Sequence, residues 1–111
     1  MVVEENKIFN AANAIEVKVY DILKTVIDPE VGINIVDLGL VYTISYDIKE
    51  GITVEMTLTS KGCPMGESII ASVKEAIQNE FLNIPSRVNI VWEPKWTTKC
   101  ITSDGLEKLG N

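Results

Sequence analysis

The chain has 111 residues, of which 46% are hydrophobic and 23% charged. That balance is ordinary for one globular domain and argues against collagen, coiled coil and disorder. Sixteen acidic residues against ten basic give a net charge of −6, so there is no basic stripe to displace counterions from nucleic acid, and an anionic membrane surface would repel the chain.

Glu4 and Glu5 stand where a signal peptide needs positive charge, and no stretch approaches the roughly 18 apolar residues of a membrane span. A cytoplasmic protein is therefore expected. Histidine is absent, so a Ser-His-Asp triad, a Cys-His pair and a His-ligated metal site are all excluded for this chain alone. The two cysteines, Cys63 and Cys100, fall short of the four thiolates that a zinc ribbon or a complete iron–sulfur cluster usually takes. Any metal held here must be shared with a second molecule.

Residues 1–12 lack a clear period and read as a flexible N-terminal segment, with one domain over residues 13–111. From Asn13, the residues Ile15, Val19, Ile22, Leu23 and Val26 recur at helical spacing, with Glu16, Lys18, Asp21 and Lys24 opposite. This helix should stop before Asp28-Pro29, because the residue ahead of a proline is pushed out of the α region. A loop follows over 28–39. The period then becomes two: Leu40, Tyr42, Ile44, Tyr46 and Ile48 share one face, and Ile52, Val54, Met56 and Leu58 continue it after a turn at Lys49-Glu50-Gly51. A second helix carries Ile69, Ile70, Val73, Ile77 and Phe81. Asn83 to Pro85 break it, and Val88, Ile90 and Trp92 alternate as a third strand whose apolar side chains, Trp92 included, should be core. Leu106 and Leu109 suggest a short terminal helix. The order α-β-β-α-β(-α) reads as an α+β two-layer sandwich, helices packed on a small three-stranded sheet.

Chemistry centres on Cys63, between Gly62 and Pro64. Proline is favoured at the first helical position, which makes Cys63 the expected N-cap of the second helix. There, free backbone N–H groups and the helix dipole would lower the thiol pKa and make a better nucleophile or soft-metal ligand. The bland reading, a small buried hydrophobe, stands beside it. Asp28 and Glu30 flank Pro29; they read either as solvated turn formers or as carboxylates that position a partner or a hard cation. Thr59 and Ser60 precede the cysteine and can hydrogen-bond to it or to a ligand. Asp37 reads as a local hydrogen-bonding residue, Trp96 as packing or as a partly exposed binding anchor, and Cys100 as incidental. No phosphate-binding glycine loop and no Cys-x-x-Cys pair occurs.

Four segments, Asp28-Pro29-Glu30, Asp37-Leu38-Gly39-Leu40-Val41-Tyr42, Thr57-Leu58-Thr59-Ser60-Lys61-Gly62-Cys63-Pro64 and Trp92-Glu93-Pro94-Lys95-Trp96, together resemble the SufT/PaaD-type family of metal–sulfur (iron–sulfur) cluster assembly factors, over roughly residues 13–110. The resemblance implies a fold similar to the C-terminal domain of NifU-type scaffolds and a role in maturing iron–sulfur proteins. It makes Cys63 the functional thiol and a transient metal ligand. Asp28, Glu30, Thr59 and Ser60 become pocket positions, and Asp37 and Trp96 further motif positions. Lacking the cysteine-rich C-terminus of PaaD-like members and the P-loop domain of ATPase fusions, the chain matches the stand-alone SufT-like type. Lys95 stands where family members often have proline, which bears on the C-terminal partner surface.

The expected function is thus an accessory factor in cluster assembly or delivery, an assembly protein more than an enzyme. Its expected partners are the assembly machinery and client apoproteins, with a homodimer as one way to bridge a cluster. No permanent cofactor is implied; iron or a cluster would be held transiently. Two other classes remain open: a thiol enzyme with Cys63 as nucleophile and Asp28 or Glu30 as acid–base partner, and an interaction module with a structural cysteine.

Overall fold

A computed structural model describes residues 11–62 and 65–110. Residues 1–10, most of the expected N-terminal segment, and Cys63 and Pro64 lie outside the described residues. The elements run α1 (Ala11–Leu23), β1 (Val41–Asp47), β2 (Gly51–Met56), α2 (Gly66–Glu80), β3 (Ser86–Ile90), a 3-10 turn (Thr98–Cys100) and α3 (Ser103–Gly110). This is the α+β order read from the sequence.

In α1 the expected face is the buried one. Val19 and Leu23 are fully enclosed and Ile15 packs beside them. The helix ends at Leu23, before the Asp28-Pro29 boundary, because tighter turns take over: Thr25 N–H donates to Ile22 O at 2.9 Å and Val26 N–H to Leu23 O at 3.1 Å. The chain then enters a one-residue bridge between Ile27 and Asn34.

The sheet has the order β1-β2-β3. β1 and β2 form the expected antiparallel hairpin, with Tyr46 opposite Ile52 and a bulge between Val41 and Thr43. β2 and β3 are parallel, Val54 opposite Val88, so α2 is the crossover of a β-α-β unit. The central strand is the most enclosed: Ile52, Val54 and Met56 are all fully buried. Helix α1 packs on β1, α2 on β3, and the two helices on each other. No helix among the described residues is long and apolar enough to cross a membrane.

Three expectations need correction. Ile48 is not on the core face: it is 85% exposed. β1 has already ended at Asp47, whose carboxylate accepts from Lys49 N–H and Glu50 N–H, both at 2.9 Å, and turns the chain back. Trp92 is not core either; β3 stops at Ile90, and Trp92 is half-buried at the edge of a cleft. Finally, the N-cap of α2 is Met65, with no side-chain cap, and Gly66 is the first helical residue. The reason is packing. Gly66 lies so close to Leu58 that a Cβ there would stand 2.7 Å from Leu58 Cδ1, and Ile69 N–H donates to Met65 O at 3.0 Å as the helix opens. Cys63 stands two residues ahead of that cap in the sequence, outside the described residues.

The segment 28–39 is a loop in conformation but core in composition. Ile33, Ile35, Val36 and Leu38 are all buried.

Candidate functional site

Two parallel strands that share a crossover helix leave a crevice at their carboxyl ends, where the chain departs in different directions. Here that crevice is built from residues 58–61 after β2 and 92–96 after β3, and encloses about 360 Å³. Its lining carries two hydroxyls (Thr59, Ser60), two ammonium groups (Lys61, Lys95), one carboxylate (Glu93) and two indoles (Trp92, Trp96). The Lys61 ammonium lies 5.6 Å from the centre of the Trp92 ring, within cation–π range. Trp96 is half-buried, and its Nε1–H donates to Leu38 O at 2.8 Å, which fixes the ring and satisfies its polar edge.

The second wall of the crevice is held by a clasp between the loop 34–39 and the C-terminal segment. Asp37, 6% exposed, is its centre. One carboxylate oxygen, Oδ2, accepts from Asn34 Nδ2 at 2.9 Å, and Oδ1 accepts from the Thr102 hydroxyl at 3.0 Å. Lys108 Nζ approaches Oδ2 at 3.5 Å. The bond from Asn34, with those from Thr102 and the charge of Lys108, outweighs burial and holds the Asp37 carboxyl below the usual carboxylate range. The backbone joins in: Asp37 N–H donates to Asn34 Oδ1 at 2.8 Å, and Thr102 N–H to Asp37 O at 2.8 Å. Thr102 also caps α3, its hydroxyl accepting from Gly105 N–H at 3.0 Å. Gly39, at φ +79°, turns against the Cys100 carbonyl so closely that no side chain fits. Tyr42 closes the clasp from β1, its hydroxyl donating to Pro94 O at 2.7 Å. Burial, with the Cys100 and Glu93 charges adding, pushes its phenol pKa up.

The structure thus brings Thr59, Ser60 and Trp96 to one crevice and leaves Asp28, Glu30 and Asp37 off its lining. Asp28 is buried and acts locally: Oδ1 accepts from Glu30 N–H at 2.8 Å and Val31 N–H at 3.2 Å, an Asx turn that bends the chain around Pro29. Glu30 is exposed. Cys63 follows the first wall in sequence by two residues, outside the described residues. Lys61, Trp92, Glu93 and Lys95 also line the crevice and are not among the candidate site residues read from the sequence. The density of tryptophan and lysine in Trp92-Glu93-Pro94-Lys95-Trp96 was the available signal.

Comparison with known proteins places this geometry in a context. A family model described as iron–sulfur cluster assembly protein matches residues 16–81. A Staphylococcus aureus protein named Fe-S protein maturation auxiliary factor SufT is 54% identical over 85 residues, 77% of this chain and 97% of that protein. The Bacillus subtilis Fe-S protein maturation auxiliary factor YitW is 42% identical over 85 residues, 76% of this chain and 82% of its own. The crystal structure of a domain of unknown function from Bacillus anthracis superposes with a TM-score of 0.85 at 38% identity, covering 90% of this chain and 95% of that one.

Proposed function

The chain belongs to the iron–sulfur cluster assembly protein family, and from that premise we propose that it is an accessory factor that passes iron or an iron–sulfur cluster to client apoproteins, by protein contacts and transient ligation through Cys63. The observation that carries this reading is the pair of relatives named as Fe-S protein maturation auxiliary factors, each aligned over three-quarters or more of this chain.

The chemistry of the donor set supports it. A thiolate is a soft ligand suited to iron in a sulfide environment. With no histidine and two cysteines in the whole chain, a cluster has too few donors here to reside permanently. As cargo it would be bridged between two copies or shared with the receiving protein, and labile holding follows from that shortage. Thr59 and Ser60, on the wall that leads into Cys63, supply hydroxyls for the ligand or its carrier. The protein would work in the cytoplasm alongside the assembly machinery.

The test is complementation under iron limitation. The gene is deleted, wild type or Cys63→Ser is returned, and aconitase is assayed beside a cluster-free enzyme. The reading expects the aconitase activity alone to fall and only wild type to restore it. Equal rescue by the serine variant would make the cysteine structural and the protein an interaction module. Undisturbed cluster enzymes would refute the assembly role.

A further inference from the structure

We propose that the crevice at the carboxyl ends of β2 and β3 is a docking site for an acidic peptide segment of a partner protein, its carboxylates set against Lys61 and Lys95 and an apolar side chain against Trp92 and Trp96. The proposal rests on the accessory-factor reading and names the chemistry of the contact that reading requires.

Charge complementarity selects the occupant. The chain carries −6 overall, yet in this crevice Lys61 and Lys95 outweigh Glu93. Among the described residues, the ion pairs are Lys18 with Glu80, Arg87 with Glu50 and Lys108 with Asp37, and neither crevice lysine takes part in one. At physiological salt, charges act over about 8 Å. A short acidic segment seated here therefore feels the two local lysines, whereas an extended polyanion such as nucleic acid would meet the acidic remainder of the surface.

The walls suit a peptide side chain. Tryptophan is enriched at the energetic centres of protein interfaces, where a large rigid face loses little entropy on contact. Trp96 is already locked by its bond to Leu38 O, and Lys61 is already drawn over Trp92. Both lower the cost of ordering on binding. A space of about 360 Å³ is at the small end for ligand pockets; it holds one or two side chains rather than a large cofactor.

The two tryptophans of the chain both line the crevice, so intrinsic fluorescence of the full chain reports on it directly. The probes are a blocked peptide of alternating Glu and Leu, its Gln-for-Glu counterpart, and free glutamate. The Glu peptide is expected to shift the emission saturably and to bind severalfold more weakly in roughly 0.5 M salt than in 0.05 M. Its affinity should fall about tenfold or more in the double variant Lys61→Glu/Lys95→Glu, and by a smaller factor in Lys61→Gln/Lys95→Gln. Both lysines are exposed, so far-UV circular dichroism of these variants should match wild type. Equal binding of the Gln peptide, or indifference to charge reversal, would overturn the proposal. So would saturation by free glutamate at the same concentration, which would make this a small-carboxylate site. Failure is distinguishable from failure of the broader reading: wild type that complements but binds no acidic peptide sinks the docking site alone, whereas wild type that does not complement sinks the accessory role.

Discussion

Replacing Asp37 with alanine should unlatch the C-terminal segment. The carboxylate accepts from Asn34 Nδ2 and the Thr102 hydroxyl while buried at 6% exposure. Hydrogen bonds to a charged group are worth about 1.5–3 kcal/mol each, and a donor left unsatisfied costs a similar amount. Thr102 keeps its bond from Gly105 N–H, so part of its loss is recovered. The contact with Lys108, itself half-exposed, adds at most ~0.5 kcal/mol after screening. The sum is about 3 kcal/mol at pH 7, on the order of 10 °C in melting temperature for a domain of this size. Asp37→Asn should cost less, about 1–2 kcal/mol, because its carbonyl still accepts from one of the two donors. The pH dependence has a definite sign. A carboxyl whose folded pKa lies below its unfolded value of 3.8 stabilises fully above that unfolded value and loses its contribution as pH falls through the folded pKa. Urea melts at pH 7 and near pH 3 should therefore show the gap between wild type and Asp37→Ala narrowing in acid. Hydrogen exchange should locate the loss in α3. A cost under about 0.5 kcal/mol at pH 7, or a gap that widens in acid, would refute the clasp.

Two further changes test the same region. Gly39→Ala combines a left-handed backbone with overlap on the Cys100 carbonyl and should cost about 2–4 kcal/mol by urea denaturation, more than an unstrained glycine-to-alanine change, which stabilises. Trp96→Phe keeps an apolar wall but leaves Leu38 O without its indole donor; about 1 kcal/mol should be lost, with Trp92 then the sole reporter of the crevice in emission spectra.

Periodicity carried most of the fold. Val19, Leu23, Ile52, Val54, Met56, Ile69, Val73 and Ile77 repeat at 3.6 or 2 residues, and all are buried. What it missed has one cause in each case. Ile33, Ile35, Val36 and Leu38 are core residues without a period, because the segment 28–39 buries its side chains through turns fixed by Asp28 and Asn34 rather than through a repeating ladder. Ile48 fits the strand alternation yet faces solvent, since the Asp47 turn ends the strand one residue earlier. Trp92 extends the β3 pattern in sequence although pairing with β2 ends at Met56 and Ile90. In each, a side-chain-to-backbone hydrogen bond or the limit of a partner strand overrides local pattern.

The crevice was legible only in halves. Thr59 and Ser60 stand out by their place ahead of Cys63, and Trp96 by its place beyond a proline, but nothing in either segment says that the two meet. They meet because β3 pairs parallel to β2, which sends both strand ends to the same side, and because the Asp37-Leu38-Gly39 turn holds the returning chain there: Asp37 through Thr102, Leu38 through Trp96, Gly39 through its closeness to Cys100. Motif residues that touch no ligand-facing surface thus have a physical task, positioning the second wall. It follows that Asp37→Ala should weaken peptide docking only as far as it displaces Trp96, whereas charge reversal at Lys61 and Lys95 should weaken docking with the clasp intact. Melting temperature and peptide affinity measured on both variants separate the two. If Asp37→Ala lowered stability and left Trp96 emission and peptide affinity unchanged, the clasp would hold α3 without shaping the crevice, and the two halves would owe their meeting to the strand pairing alone.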